Sequence, residues 1–286
     1  VFDPRERLLA EIDVVRQIVE FDPLFVLCPG CIPNYTFILL LRQLKKIPIV
    51  NWNSEEIRLP EYEARVKDFA FVYDWIFHFD HTALPVYKAT GFSKISFLPQ
   101  AFDPARHFHV DVERQPYLQF IGSIGWGKYT NRMELVSFLK KNNVPLNVRK
   151  SSDTKGNCEI YSGAAASLNL GLNTGLFPID SFRGFGLQQR VFEAFGSNTP
   201  TLMNFPEGWT EEDGNKNQIF DRQNVLFFRK DNILELTRWI LESENFSYMS
   251  KRVEALKCHH TYARRLEVMI ETLALEGLIE YERSCC

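Results

Sequence analysis

The stretch Tyr117-Leu118-Gln119-Phe120-Ile121-Gly122-Ser123-Ile124-Gly125-Trp126-Gly127-Lys128 runs from a short apolar segment straight into a glycine-rich turn. Residues Asn131 to Lys141 then carry helical spacing. A strand that feeds a helix through glycines opens a βαβ unit, because parallel strands are joined only by long crossovers. Backbone without side chains approaches a diphosphate closely, and the helix behind it offers N–H groups and the positive end of its dipole. Gly122 and Ser123 are therefore candidate phosphate contacts, and Arg132, in the first turn, adds a charge-assisted one. Taken alone, such a turn is often only a tight connection.

The same alternation extends in both directions. Upstream, Pro4 to Glu20 is an amphipathic helix with Leu8, Leu9, Ile12, Val15, Ile18 and Val19 at helical spacing. Leu24 to Cys28 is a short apolar strand bounded by Pro23 and Pro29-Gly30. Tyr35 to Lys46 reads as a helix, Ile47 to Trp52 as a strand, Tyr62 to Phe69 as a helix, Asp74 to Phe79 as a strand, Ala83 to Thr90 as a helix and Ile95 to Leu98 as a strand. Downstream, strands are expected at Leu146 to Arg149, Ala165 to Leu170, Thr201 to Asn204 and Asn224 to Phe228. Helices are expected at Leu187 to Phe195, Ile233 to Leu241 and from Phe246 to about Ile279. The pattern breaks only near Ala101 to Gln115, which reads as a linker. The expectation is an α/β protein of two domains: an N-terminal one over residues 1–110 and a C-terminal one over 111–286, whose final helices pack back on the first. Two such halves put a cleft at the carboxyl ends of their parallel strands.

A second cluster lies in the C-terminal half. Arg183-Gly184-Phe185-Gly186 precedes Leu187-Gln188-Gln189-Arg190-Val191-Phe192-Glu193. Arg190 and Glu193 are three apart and share one face near the start of a helix. A glutamate held there accepts two hydrogen bonds from vicinal hydroxyls such as those of a ribose, and an arginine meets phosphate. An exposed Arg–Glu pair with no ligand is the bland alternative; the glycines around the helix start, Gly186 among them, favour the ligand. In the N-terminal half, Asn51-Trp52-Asn53-Ser54-Glu55-Glu56 ends a strand. Trp52 suits stacking on a sugar ring and Asn53 lies beside it. Glu55 or Glu56 suits a catalytic base. Equally, Ser54 caps a helix whose first turn favours two glutamates.

Composition narrows the classes. The 286 residues are 45% hydrophobic and 24% charged, with a formal net charge of -3. That balance is globular and argues against a general polyanion binder. The longest apolar runs, such as Phe37 to Leu41, are too short to span a bilayer. The chain opens on Val1 without a signal-peptide pattern, as a trimmed piece lacking a preceding strand would. Six scattered cysteines read as reduced, cytoplasmic usage. Cys28-Pro29-Gly30-Cys31 has no second pair to complete a metal site, and none of the six histidines has ligand company, so no metal is expected.

From Tyr73 onward the order of motifs resembles the CgeB-like, or spore-maturation-type, glycosyltransferases within the wider retaining group-1 GT-B enzymes. Five stretches carry it: Val72 to Asp80; Leu98-Pro99-Gln100-Ala101-Phe102-Asp103-Pro104; Phe120 to Ser123 with Arg132; Arg190 to Pro200 followed by Asn224 to Phe228; and His260-Thr261-Tyr262-Ala263-Arg264-Arg265. The resemblance implies a GT-B fold, two Rossmann-like domains whose sheets face each other across a cleft. It implies a hexosyltransferase-type enzyme that moves a sugar from a nucleoside-diphosphate donor, foremost a UDP-sugar, to a hydroxyl on a glycan, protein, lipid or modified nucleobase. Gly122, Ser123 and Arg132 would lie near the donor diphosphate, Arg190 at phosphate and Glu193 at the ribose, with no metal and no separate cofactor; Arg183 and Gly186 are further candidates for the donor site. One position departs from the pattern: group-1 enzymes often carry two glutamates eight apart, the second matching Glu193, and here the earlier one is Phe185. A GT-B scaffold that has lost catalysis and a GT-B nucleotide-sugar epimerase are the competing expectations.

Overall fold

The computed structural model describes residues 4–30, 35–54, 66, 70–124, 130–150, 153–170, 186–204, 209, 225–229 and 231–281. The chain divides into two compact units, one formed by residues 1–99 with 266–286 and the other by 100–265.

In the first unit the order is α1 (Pro4–Phe21), β1 (Val26–Pro29), α2 (Tyr35–Leu44), β2 (Ile49–Asn53), β3 (Trp75–His78), α3 (Leu84–Ala89) and β4 (Ile95–Phe97). The four strands are parallel in the order β1-β2-β3-β4. Period-two alternation splits β2 cleanly. Ile49 packs into the cluster of Val15, Ile38 and Leu41 from α1 and α2, while Val50 faces Trp75, Phe77 and Leu98. That second face is closed by Met269 and Leu273 from the far half of the last helix, α9 (Tyr262–Leu275). Asp80 caps a 3-10 turn over His81–Ala83, accepting from the Thr82 amide at 3.0 Å and its hydroxyl at 2.9 Å.

The second unit contains β5 (Gln115–Ile121), α4 (Thr130–Lys141), β6 (Leu146–Arg149), α5 (Thr154–Ser162), β7 (Ala164–Asn169), α6 (Gln189–Gly196), β8 (Thr201–Asn204), β9 (Val225–Phe228), α7 (Ile233–Leu241) and α8 (Ser243–Leu256). Its five strands are parallel in the order β6-β5-β7-β8-β9. One face of this sheet, through Leu118, Phe120 and Leu168, packs against Leu135 and Leu139 of α4, Ile233 and Ile240 of α7 and Met249 of α8. Each such fully buried side chain contributes roughly 1.5–3 kcal/mol. The other face carries a polar row in register: Asn147 opposite Gln119, Gln119 opposite Ser167, and Ser167 opposite Thr201.

One expectation is corrected. The segment read as a linker is packed: Ala101 and Phe102 are buried in the second unit, and Phe102 pairs with Thr261 in a parallel bridge. The stretch from Phe246 toward Ile279 is helical as expected, in successive pieces. α8 gives way to a 3-10 turn over Lys257–His260, and Thr261 is extended before α9 begins. The break is fixed by His260, buried between the rings of Phe192 and Phe195, and by Arg265, which donates to the carbonyls of Gln100 and His259. Helix α5 was not anticipated at all. The helix expected over Tyr62 to Phe69 lies outside the described residues apart from Val66, which is helical.

Candidate functional site

The strand order of the second unit contains a reversal. From β5 the chain passes to β6 on one side, then crosses to β7 on the other. At such a switch point the two loops leave in opposite directions and open a crevice beyond the carboxyl ends of the strands. Gly122 and Ser123 follow β5 there, and Leu170 follows β7.

Gly122, Ser123 and Arg132 are brought together. Arg132 Nη1 donates to the Ser123 carbonyl at 3.3 Å, and its guanidinium lies 6.0 Å from the centre of the Phe120 ring. A Cβ on Gly122 would stand 3.3 Å from that ring and 3.9 Å from Arg132 Nη1. A side chain there would crowd the Phe120 ring, while its distance from the guanidinium would be ordinary contact. Ile121, the residue before Gly122, packs with Tyr161 of α5 and Ala194 of α6. Ala194 is the neighbour of Glu193, so the end of β5 and helix α6 lie close together.

Helix α6 supplies the second cluster. Gly186, buried and with φ of 56°, turns the chain into it through a left-handed conformation that favours glycine. The helix is strongly amphipathic: Val191, Phe192, Ala194 and Phe195 are buried, while Arg190 and Glu193 keep side-chain exposures of 31% and 13%. Arg190 Nη1 donates to Glu193 Oε2 at 2.6 Å. The N-terminus of α6 is anchored by Gln189, whose Nε2 donates to the Ala101 carbonyl and whose Oε1 accepts from the Tyr262 hydroxyl. The side chain of the N-cap, Gln188, makes no capping bond to the first turn.

A further buried residue packs against α6. Tyr161 is buried and packs with Ile121 and Ala194. On β7, Asn169 Nδ2 donates to Ser167 Oγ at 2.9 Å. Burial, with Glu193 adding its charge, pushes the Tyr161 hydroxyl above its ordinary range, so it stays protonated at any working pH. Its local signal is weak, because α5 has few apolar residues to announce it.

The expected acceptor residues are less exposed than anticipated. Trp52 donates from Nε1 to the Leu98 carbonyl at 3.2 Å and packs beside Met269 and Leu273. Asn53 is fully buried and donates to the Tyr87 hydroxyl at 2.8 Å. Both side chains serve the interior of the first unit, because odd positions of β2 face one core and even positions the other. Glu55, Glu56 and Arg183 lie outside the described residues, as does Phe185. Among the described residues no group of His, Cys, Asp or Glu is assembled as a metal ion would require, and no helix is long and apolar enough to cross a membrane.

Solved structures share this architecture at low sequence identity. Sucrose-phosphate synthase from Thermosynechococcus elongatus matches with a TM-score of 0.57 and 12% identity, over 97% of this chain and 81% of that one. A trehalose-6-phosphate synthase, studied for glycosyl transfer with retention, matches with a TM-score of 0.56 and 10% identity, over 94% and 78%. This is the GT-B glycosyltransferase fold. The crystal structure of TarM matches with a TM-score of 0.56 and 11% identity over 86% of this chain, which spans about half, 54%, of TarM. No family model and no curated protein sequence matches.

Proposed function

We propose that this GT-B chain is a glycosyltransferase that carries a nucleoside-diphosphate sugar on its second unit and passes the sugar to a hydroxyl acceptor. The observation that carries the reading is the Arg190–Glu193 pair, half-sheltered at the start of α6 beside the β5/β7 switch point. Glu193 offers a fixed carboxylate to the two hydroxyls of a ribose. Arg190 and Arg132, with the amides around Gly122 and Ser123, offer positive charge to a diphosphate. Developing negative charge on the leaving diphosphate is stabilised by these groups, so the transfer needs no metal, and EDTA leaves turnover unchanged. The order of motifs favours a CgeB-like enzyme with a UDP-sugar donor. The likeness to trehalose-6-phosphate synthase favours retention at the anomeric carbon. Glu55 and Glu56 remain the candidates for the acceptor side, in a reducing, cytoplasmic setting that suits free Cys28, Cys158 and Cys258.

The test is calorimetric titration of UDP, GDP, ADP and TDP into wild type and Glu193→Ala. Two charge-assisted bonds from a ribose make the substitution cost on the order of 1.5–3 kcal/mol, a tenfold or greater loss of affinity for the preferred diphosphate. A folded wild type that binds none of the four overturns the donor site and leaves a GT-B scaffold without catalysis. Release of free nucleotide and sugar without any acceptor would mark an epimerase.

A further inference from the structure

Three basic side chains meet at the far end of α6. Ser197 and Asn198 follow that helix, and Asn198, buried, holds a left-handed φ of 56°. His109 Nδ1 donates to the Ser197 carbonyl at 3.3 Å. Arg114 donates from Nη1 and from Nη2 to the Asn198 carbonyl, each at 3.2 Å, and from Nη1 to the Ser250 hydroxyl. Lys257 Nζ donates to Asn198 Oδ1 at 2.6 Å.

Every one of these partners is neutral. The Ser250 hydroxyl gives its own proton to the Phe246 carbonyl at 2.7 Å, so it meets Arg114 only as an acceptor. Glu113, beside Arg114, and Glu254, one turn before Lys257, are exposed, and neither is a partner of these cations. Charged side chains taken out of water are ordinarily ion-paired. Arg114 is not: burial pulls its guanidinium from 12.5 down to about 10, with no carboxylate to hold it up. Capping of α6 accounts for only part of the cluster. The C-terminal end of a helix carries about half a negative charge, whereas Arg114 and Lys257 bring a full positive charge each. Donors are also left over. Arg114 uses three of its five N–H groups, and Lys257 uses one of its three.

We propose that His109, Arg114 and Lys257 form an anion site at the end of α6 that takes a phosphate group. A phosphate brings roughly 1.5 to 2 negative charges, which matches the excess here, and its oxygens suit the fork of an arginine. The site is separate from the donor crevice. Arg114 precedes β5 and Gly122 follows it, so at about 3.3 Å per residue the two lie roughly 20–25 Å apart along the strand. The site therefore does not depend on the sugar-transfer reading.

The experiment is a titration of inorganic phosphate, and separately of glycerol 3-phosphate, followed in backbone 15N–1H spectra at constant ionic strength. The amides of Ser197 and Asn198 are expected to shift saturably with phosphate and not with chloride. Lys257→Gln is expected to bind about tenfold more weakly at these amides, through loss of one charge-assisted contact. Arg190→Gln, which strips the donor crevice of a cation, is expected to leave the binding there unchanged. No saturable shift in wild type overturns the proposal, as does equal binding by Lys257→Gln or a loss caused by Arg190→Gln. Tighter binding of glycerol 3-phosphate assigns the site to a phosphomonoester, and equal or weaker binding assigns it to the free anion. Should Lys257→Gln not fold, His109→Gln, at an exposed position, is read the same way, with a loss of about threefold expected.

Discussion

Gly196 ends α6 at a place where two effects oppose each other. Alanine is the better helix former by about 1 kcal/mol. Here, however, a Cβ would stand 2.7 Å from both the Cβ and the carbonyl oxygen of His107 and 2.9 Å from the Phe102 ring. Overpacking of this kind costs roughly 1–3 kcal/mol, and a backbone oxygen has no rotamer with which to move aside. Steric cost wins, so Gly196→Ala is expected to lower the unfolding free energy by about 1–2 kcal/mol in chemical denaturation. A variant as stable as wild type would mean that the 102–107 segment is not packed on α6. At Cys28, half-buried on β1, burial raises the thiol from its ordinary 9.0 to about 11. A raised thiol value means less thiolate, about a hundredfold less at pH 8 than for an unperturbed cysteine. Alkylation mapped by mass spectrometry should therefore modify exposed Cys258 well before Cys28, and comparable rates would contradict the packing of β1.

Helix α5 depends on its cap and on its contacts more than on its own propensity. Its sequence, Thr154-Lys155-Gly156-Asn157-Cys158-Glu159-Ile160-Tyr161-Ser162, contains a glycine and few apolar residues. Asp153 starts it by accepting from the Gly156 amide at 2.7 Å, and Cys158 Sγ donates to the Arg106 carbonyl at 3.3 Å. Asp153→Ala should cost about 1 kcal/mol in unfolding free energy while Asp153→Asn costs little, because only the side-chain oxygen is required. An equal loss for both would point to charge in place of the cap. The same helix explains what the sequence could and could not tell. Strands β1 to β4 are apolar runs between breakers, Gly122 to Ser123 follows a strand, and Arg190 with Glu193 repeats at helical spacing; each is a local signal. The burial of Tyr161 against Ile121 and Ala194 arises only when α5, β5 and α6 are brought together. The start of β5 was equally obscured: Pro116 reads as a break, yet the strand begins at Gln115 with a register shift before Leu118. The bridge between Phe102 and Thr261 joins positions far apart in sequence, so no window on the chain contains it.

For the molecule as a whole, the last helix crosses the boundary between the units: residues through Arg265 belong to the second and those from Leu266 to the first. Its far half is a structural part of the first sheet. Leu273 is fully buried against Val50, Trp75, Phe77 and Leu98. Truncating such a leucine costs about 2–5 kcal/mol through lost transfer energy and the cavity left behind. In a chain with two cores that loss need not be shared, since two-domain proteins commonly depart from a single cooperative transition. Leu273→Ala is therefore expected to speed hydrogen exchange in the amides of β1 to β4 and to leave those of β5 to β9 near their wild-type protection. Donor nucleotide should act on the opposite set. At a hundred times its Kd, a ligand bound to the second unit adds about 2.7 kcal/mol to the amides there, in wild type and in Leu273→Ala alike. If the substitution instead exposes β5 to β9 as strongly as β1 to β4, the two cores unfold as one, and the last helix stabilises the whole chain in place of the first sheet alone.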